Sequence, residues 1–318
     1  MLVTGATGMV GGAIVRALLR RQRSVRVFVR DGRRAEALFG SAVEIAVGDL
    51  ADAQSVSRAA VGVGDVYHVA GAVDEWQCPA QVMWETNVAG TRRLLAAGSG
   101  RFVYTSSVSV YGDRLPLAVR EDAPFNPAGV YGESKIEAER AVLDAAAGGR
   151  GAMIVRPCIV YGPGDRYFGP QASTLVRLPV LPLPDGGRHL VDLVHADDLA
   201  EAQLLVMAEG RPGEAYNVTD GVTHTLRDLI GWMAEASGRR PWCPSIPRWL
   251  ALAAQPALRE AGRLARVPQV ARLRRHDVYV FFSDYNFEIA KIHALGYAPR
   301  IEARVAVPAA LRAGALGA

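Results

Sequence analysis

Lysine is almost missing from this chain. Its 318 residues include 36 Lys and Arg, and only Lys135 and Lys291 are lysine. Cysteine is scarce too. Cys78, Cys158 and Cys243 are scattered and odd in number, which argues against a disulfide framework or a cysteine metal site and for a reduced, cytoplasmic setting. The six histidines show no metal-ligand spacing, so no metal is expected. No apolar run reaches the about 18 residues that mark a membrane span. The chain enters a strand-like run close to Met1, and no signal or transit segment is expected before it. Repeats and low-complexity tracts are lacking.

What is present is enough apolar residue, 50% of the chain, to bury one large core or two intimate ones. The charge is unevenly placed. Residues 239–275 hold nine Arg and one acid, Glu260, which makes that segment +8 in a chain of net +4. This is a local basic stretch on an otherwise acidic protein, and no nucleic-acid partner is expected.

One of the two lysines stands in Val130-Tyr131-Gly132-Glu133-Ser134-Lys135. On a helix, Tyr131 and Lys135 share a face. A phenol, with an ordinary pKa of about 10, is a poor acid near neutrality. An ammonium beside it favours the phenolate, so the pair could pass a proton to or from a carbonyl or hydroxyl oxygen. A chain that otherwise writes arginine has placed a compact ammonium here in place of a planar fork.

From the start, Leu2-Val3-Thr4 runs into Gly5-Ala6-Thr7-Gly8-Met9-Val10-Gly11, followed by Ile14, Val15, Leu18 and Leu19 at helical spacing. Strand, glycine turn and helix form the setting of a dinucleotide fingerprint. The glycines let a pyrophosphate approach, and the helix start offers free N–H groups. Residues 25–30 suggest a second strand ending in Arg30, which could meet a 2′-phosphate and favours NADP. Asp31 leaves NAD open. Strands are also expected at 44–50, ending in Asp49 and Leu50, and at 65–71. Asp49 could meet an adenine amino group or cap the next helix. The run at 65–71 carries His68, a packed strand residue more than a catalyst, and the small residues Val69, Ala70 and Gly71. Asn87 interrupts a helix interior, either to bond the sheet or to place the site. Further strands are expected at 101–107, carrying Thr105, Ser106 and Ser107, and at 153–157, ending in Arg156-Pro157.

This alternation predicts an α/β fold with a doubly wound parallel sheet. The expected division is a dinucleotide-binding unit over 1–165, rejoined by 190–220, and a smaller substrate lobe made of 166–189 and 221–318. Residues 191–198 are expected to open a helix that runs through Leu204-Leu205.

These pieces resemble the extended short-chain dehydrogenase/reductase family over essentially the whole chain. The matching motifs are the glycine turn, Gly48-Asp49-Leu50, Asn87-Val88-x-Gly90-Thr91, Thr105-Ser106-Ser107 with Tyr111-Gly112, Tyr131-x-x-x-Lys135, Arg156-Pro157, residues 161–165 and Leu295-Gly296-Tyr297-x-Pro299. The resemblance implies a Rossmann-type sheet, a homodimer through helices near 85–98 and 131–147, and catalysis by Ser107, Tyr131 and Lys135. The cofactor-binding positions it implies are Gly5, Thr7, Gly8, Met9, Val10, Gly11, Arg30, Asp49, Leu50, Val69, Ala70, Gly71, Asn87, Thr105, Tyr131, Lys135, Pro157 and Val160.

Nucleotide-sugar epimerases and dehydratases of this family usually carry an Asn where Ile159 stands and often an Arg where Val191 stands. Arg274 or Arg275, before Asp277, could still match a second phosphate-binding Arg. The Val-Arg end of the second strand, Arg156-Pro157 and the stretch from Phe281-Phe282 to Gly296-Tyr297 look more like the 3β-hydroxysteroid dehydrogenase and dihydroflavonol reductase branch. The expected activity is therefore an NADP-preferring ketone reductase or alcohol dehydrogenase acting on a hydrophobic small molecule. A sugar-nucleotide epimerase or dehydratase with tightly bound NAD, and a non-catalytic dinucleotide sensor, remain as alternatives.

In 241–275, Leu250, Ala254, Leu258, Ala261, Leu264 and Ala265 fall on one helical face, with Pro256 in the stretch. That face could be a lid over an apolar pocket, plain packing, or a peripheral contact with anionic lipid.

Overall fold

A computed structural model describes residues 1–73, 78–112, 117–165, 169, 176–271, 273, 278–279 and 282–315. Seven short strands form one parallel sheet: β1 (Leu2–Thr4), β2 (Arg26–Val29), β3 (Glu44–Val47), β4 (Val66–His68), β5 (Phe102–Thr105), β6 (Ala152–Pro157) and β10 (Ala215–Val218), in the order β10-β6-β5-β4-β1-β2-β3. The order reverses beside β1, and the carboxyl-edge crevice at such a switch point is where open α/β sheets bind ligands.

The strands are nearly continuous apolar runs because both faces are covered. Successive side chains go to opposite faces. Val3, Val103, Met153 and Val155 join the core under the helices Met9–Arg20 and Ala196–Glu209. Leu2, Phe102, Tyr104 and Ile154 join the core on the other face, with Ala138 and Val142 of the helix Val130–Ala147.

Two expectations need correction. Of residues 191–198, expected to open a helix, 191–195 are not helical. They belong to strand β9 (Leu190–His195), which pairs with β7 (Ile159–Tyr161) and β11 (Thr223–Thr225). The helix begins at Ala196, where the His195 ring accepts the Asp197 N–H as a cap. The expected strand set also lacked β10. Apart from the main sheet, two-residue strands β8 (Leu183–Pro184) and β12 (Ser245–Ile246) pair with each other. A separate apolar core joins Leu183, Leu193, Leu229, Ile230, Met233 and Val307. Arg274, Arg275, Asp277 and Phe281 lie outside the described residues.

The helix Arg248–Leu264 contains Pro256 and buries Ala251, Gln255 and Gly262. The apolar face marked in the sequence points the other way. Leu250, Leu258, Ala261, Leu264 and Ala265 are exposed. No helix among the described residues is long and apolar enough to cross a membrane.

Candidate active site

Because the main sheet is parallel, every expected site residue that directly follows one of its strands lands on the same edge. Gly5 follows β1, Arg30 β2, Asp49 and Leu50 β3, Val69–Gly71 β4, and Ser106 and Ser107 β5, while Pro157 ends β6. Val160 belongs to β7, in the second sheet.

The glycine turn is shaped for an anionic group. Gly5 has φ +68°, a left-handed conformation suited to glycine. A Cβ on Gly11 would meet the Gly5 carbonyl oxygen at 2.2 Å, so only glycine lets the helix close onto the turn. The helix Met9–Arg20 starts at Gly8 with no side-chain cap and no acid in its first turn. Its positive end is left for a ligand. Thr7, Met9 and Val10 are half-buried there, and a Cβ on Gly164 would lie 3.9 Å from Met9 Cα.

At β2, Arg30 is exposed. Asp31 is already used, because its carboxylate accepts the Arg34 N–H at 3.0 Å and caps the helix Gly32–Phe39. Asp49 does not cap the next helix. It accepts from Ala51 N at 2.9 Å, and Asp52 caps the helix Ala53–Ala60. Leu50 is buried against Gly90, where a Cβ would lie 2.9 Å from its own.

The lysine lies in the crevice. Lys135 is 3% exposed, and its Nζ donates to the Thr105 carbonyl at 2.8 Å. Nζ lies 4.8 Å from the centre of the Tyr104 ring and 5.8 Å from that of Tyr131. A Cβ on Gly71 would come 3.4 Å from Nζ and 3.1 Å from Asn87 Oδ1. Lys135, Tyr131, Thr105, Asn87 and Gly71 are thus gathered in one place. Burial pushes the Lys135 ammonium down to about 8, with the Glu139 carboxylate opposing the shift.

The hydroxyl loop reaches the same place. Ser107 caps the short turn Val108–Tyr111 by accepting the Ser109 N–H at 3.1 Å. Its O–H remains a donor. Gly132 packs against this turn, since a Cβ there would lie 2.8 Å from the Ser109 carbonyl oxygen. That contact brings the first turn of the tyrosine helix against the serine loop. The neighbouring Ser106 is 3% exposed.

Buried polar residues hold this arrangement from behind. The Thr4 hydroxyl accepts from Val69 N and Ala70 N, both at 3.1 Å, so its proton is left to donate to His68 Nδ1 at 2.8 Å. His68 therefore carries its proton on Nε2 and donates to Thr91 at 2.9 Å, and Thr91 donates to the Asn87 carbonyl at 2.6 Å. Burial, followed by the charge of Lys135, pushes the imidazole down to about 3 and keeps it neutral. Asn87 lies in a widened π-turn, Glu85–Ala89, a feature frequent at functional sites. Its amide clasps Ala72 through both N–H (2.7 Å) and carbonyl (3.0 Å), and donates to Ser134 at 2.9 Å. Asn87 so ties the segment after β4 to the helix that carries Tyr131.

One helical turn past Lys135, Glu139 is fully buried. It receives Arg156 Nε at 2.9 Å and Nη2 at 2.7 Å. Arg156 also donates to Tyr111 Oη at 2.7 Å and to the Glu121 carbonyl at 3.0 Å, and Tyr111 donates to Asn217 at 2.8 Å. Burial works against the Arg156 cation, but the hydrogen bonds and charge of Glu139 outweigh it and raise its pKa above the ordinary value. The Arg-Pro pair was visible in the sequence. Glu139 and Asn217 carried no signal there, since both depend on partners far away in the chain. Among the described residues, no cluster of His, Cys, Asp or Glu could hold a metal.

A family model for the NAD dependent epimerase/dehydratase family matches residues 1–219. The chain belongs to that family. Its relatives include reductases and dehydratases. Sterol demethylase protein B of Methylococcus capsulatus is 37% identical over 260 residues, 78% of this chain and 77% of its own. A 4-hydroxy-2-methyl-3-oxo-4-farnesyl-3,4-dihydroquinoline-1-oxide ketoreductase of Stigmatella aurantiaca is 30% identical across 99% of this chain and 96% of its own. Among solved structures, the dTDP-glucose 4,6-dehydratase DesIV of Streptomyces venezuelae, with NAD and TYD bound, superposes with a TM-score of 0.77. It is 26% identical, covering 98% of this chain and 95% of the other. Family members are NAD-dependent oxidoreductases or epimerases, and the glycine turn and uncapped helix start described above suit such a dinucleotide.

Proposed function

We propose that this family member is an NADPH-preferring ketone reductase, or secondary alcohol dehydrogenase in reverse, acting on a hydrophobic small molecule. The observation that carries this is the buried Lys135 ammonium, set between the Thr105 carbonyl and the Tyr104 and Tyr131 rings at the carboxyl edge. A dinucleotide bound there would supply or accept the hydride. In the reducing direction, the Tyr131 hydroxyl gives its proton to the ketone oxygen as that oxygen gains charge. The Lys135 ammonium lowers the cost of the phenolate left behind. The Ser107 O–H donates to the same oxygen, so two donors meet the developing charge.

Three further features support the details. The Ile159 and Val191 side chains cannot bond a sugar diphosphate, and Val191 is buried. Asp31 is occupied as a helix cap, and Arg30, Arg33 and Arg34 surround it with positive charge suited to a 2′-phosphate. The Stigmatella relative is named for ketone reduction on a farnesylated ring.

The test is a panel of steroid, flavonoid and long-chain β-keto substrates, each with NADPH and NADH. Cofactor oxidation is expected with at least one apolar ketone, faster with NADPH. Epimerisation or dehydration of a sugar nucleotide by protein that carries stoichiometric NAD, with no ketone reduced, would replace this reading with the sugar-nucleotide one.

A further inference from the structure

The helix Arg248–Leu264 presents its apolar side to water. Trp249 is 70% exposed and Leu264 80%, with Leu250 at 41% and Leu258 at 45%. A single exposed leucine would be ordinary. Here positions 250, 254, 258, 261 and 265 form one stripe at helical spacing, all Leu or Ala. The helix holds to the protein through a different and narrower strip. Ala251, Gln255 and Gly262 face inward, and a Cβ on Gly262 would strike the backbone of Ala271 at 2.6 Å. The chain thus folds back onto the small-residue side and leaves the Leu and Trp side uncovered among the described residues.

Charge accompanies the stripe. Arg248, Arg263 and Arg266 are exposed on the same helix and its end, and Arg239 and Arg240 are exposed just before it, where Trp242 is 68% exposed. The one acid of the stretch, Glu260, is engaged by Arg263 at 3.1 Å. We infer that this helix is a peripheral membrane contact that seats the small lobe on an anionic lipid surface. An amphipathic helix with Trp and Leu on one side and arginine on the other lies in the interfacial plane of a bilayer, where apolar burial and attraction to anionic headgroups add.

The charge also argues against a second copy as the occupant. A two-fold contact places the same patch on both sides. It would bring the exposed Arg239, Arg240, Arg248, Arg263 and Arg266 of two copies together, and like charges disfavour that. The inference is independent of the reaction at Tyr131.

The test is flotation of the full chain with phosphatidylcholine vesicles, with or without phosphatidylglycerol at about one lipid in three. At least about tenfold stronger partition onto the anionic vesicles is expected, falling steeply as salt is raised to about 0.5 M. The Trp249→Ser/Leu264→Ser pair should lose at least about fivefold in partition. Both residues are exposed, so the thermal melt should be unchanged. Arg263→Gln/Arg266→Gln should weaken binding at low salt, which reads the electrostatic part separately. Absence of vesicle binding would overturn the inference, as would equal binding to neutral vesicles. Sedimentation as a dimer that the Trp249/Leu264 variant dissociates would do the same, by assigning the face to self-association.

Discussion

Lys135 and Arg156 are both buried cations, and both lie close to Glu139, yet the protein treats them differently. Arg156 has a two-toothed carboxylate, a phenol and a carbonyl around it. Lys135 rests on one carbonyl and two ring faces. The first is held protonated beyond need, while the second is pushed down to about 8. A fully satisfied buried cation serves as a tether, because removing any partner strands a charge. An under-satisfied one is a site poised for chemistry, where the destabilisation is tolerated for function. The helix Val130–Ala147 carries Lys135 and Glu139 one turn apart, so the tether steadies the segment that holds Lys135.

The sharpest way to break this contrast is at Glu139. We predict that Glu139→Ala costs roughly 3–5 kcal/mol in denaturant unfolding, as expected when one partner of a buried pair is removed. A loss below about 1 kcal/mol would deny Arg156 its tethering role. Next comes Tyr131→Phe, predicted to lower turnover by roughly 10²–10⁴ while leaving unfolding within about 0.5 kcal/mol. Turnover that survives this change would remove Tyr131 as the proton donor.

Lys135→Met is predicted to lower turnover and raise stability together, which sets it opposite to Glu139→Ala. The folded ammonium has its pKa pushed from 10.5 to about 8. Below pH 8 the group is charged in both states, and the full penalty, about 3 kcal/mol, is present. Between pH 8 and about 10.5 the unfolded chain binds more protons, so the wild-type protein gains stability as pH rises and the variant's advantage shrinks to nothing. Melts across that window would test it. Catalysis should decline over the same rise, as the ammonium is lost above about pH 8. The smallest effect concerns a cation that is not buried at all. Arg30→Ala should weaken NADPH by about tenfold, roughly 1.4 kcal/mol, and NADH much less. Equal losses would remove Arg30 as the selector.

Much of the sheet was legible in the sequence because parallel strands buried on both faces are plain apolar runs. The glycine turn was legible because its spacing is dictated by backbone contact, as at Gly11 over Gly5. The lysine stood out because the chain so rarely uses one. Three things were hidden. Strand β10 is four residues long and contains Asn217, which looks like a turn former until its partners Tyr111, Val119 and Glu121 are known. Within 191–198 the boundary between strand β9 and the following helix falls at Ala196, and the pairing with β7 and β11 that makes 190–195 a strand comes from residues distant in the chain. For Arg248–Leu264, periodicity identified the apolar face but could not say whether that face was inside. Gly262 and Ala251 decided this by giving the returning backbone room on the opposite side.

The widened turn at Glu85–Ala89 has a consequence for how this protein can vary. Deleting one residue there would restore regular winding, and the local widening that presents the Asn87 amide to Ala72 while Thr91 faces His68 would be gone. Thr91 would then leave His68, or Asn87 would leave Ala72, because the two contacts are in register only across the loose turn. This helix cannot lose a residue without detaching either the strand below it or the crevice wall above.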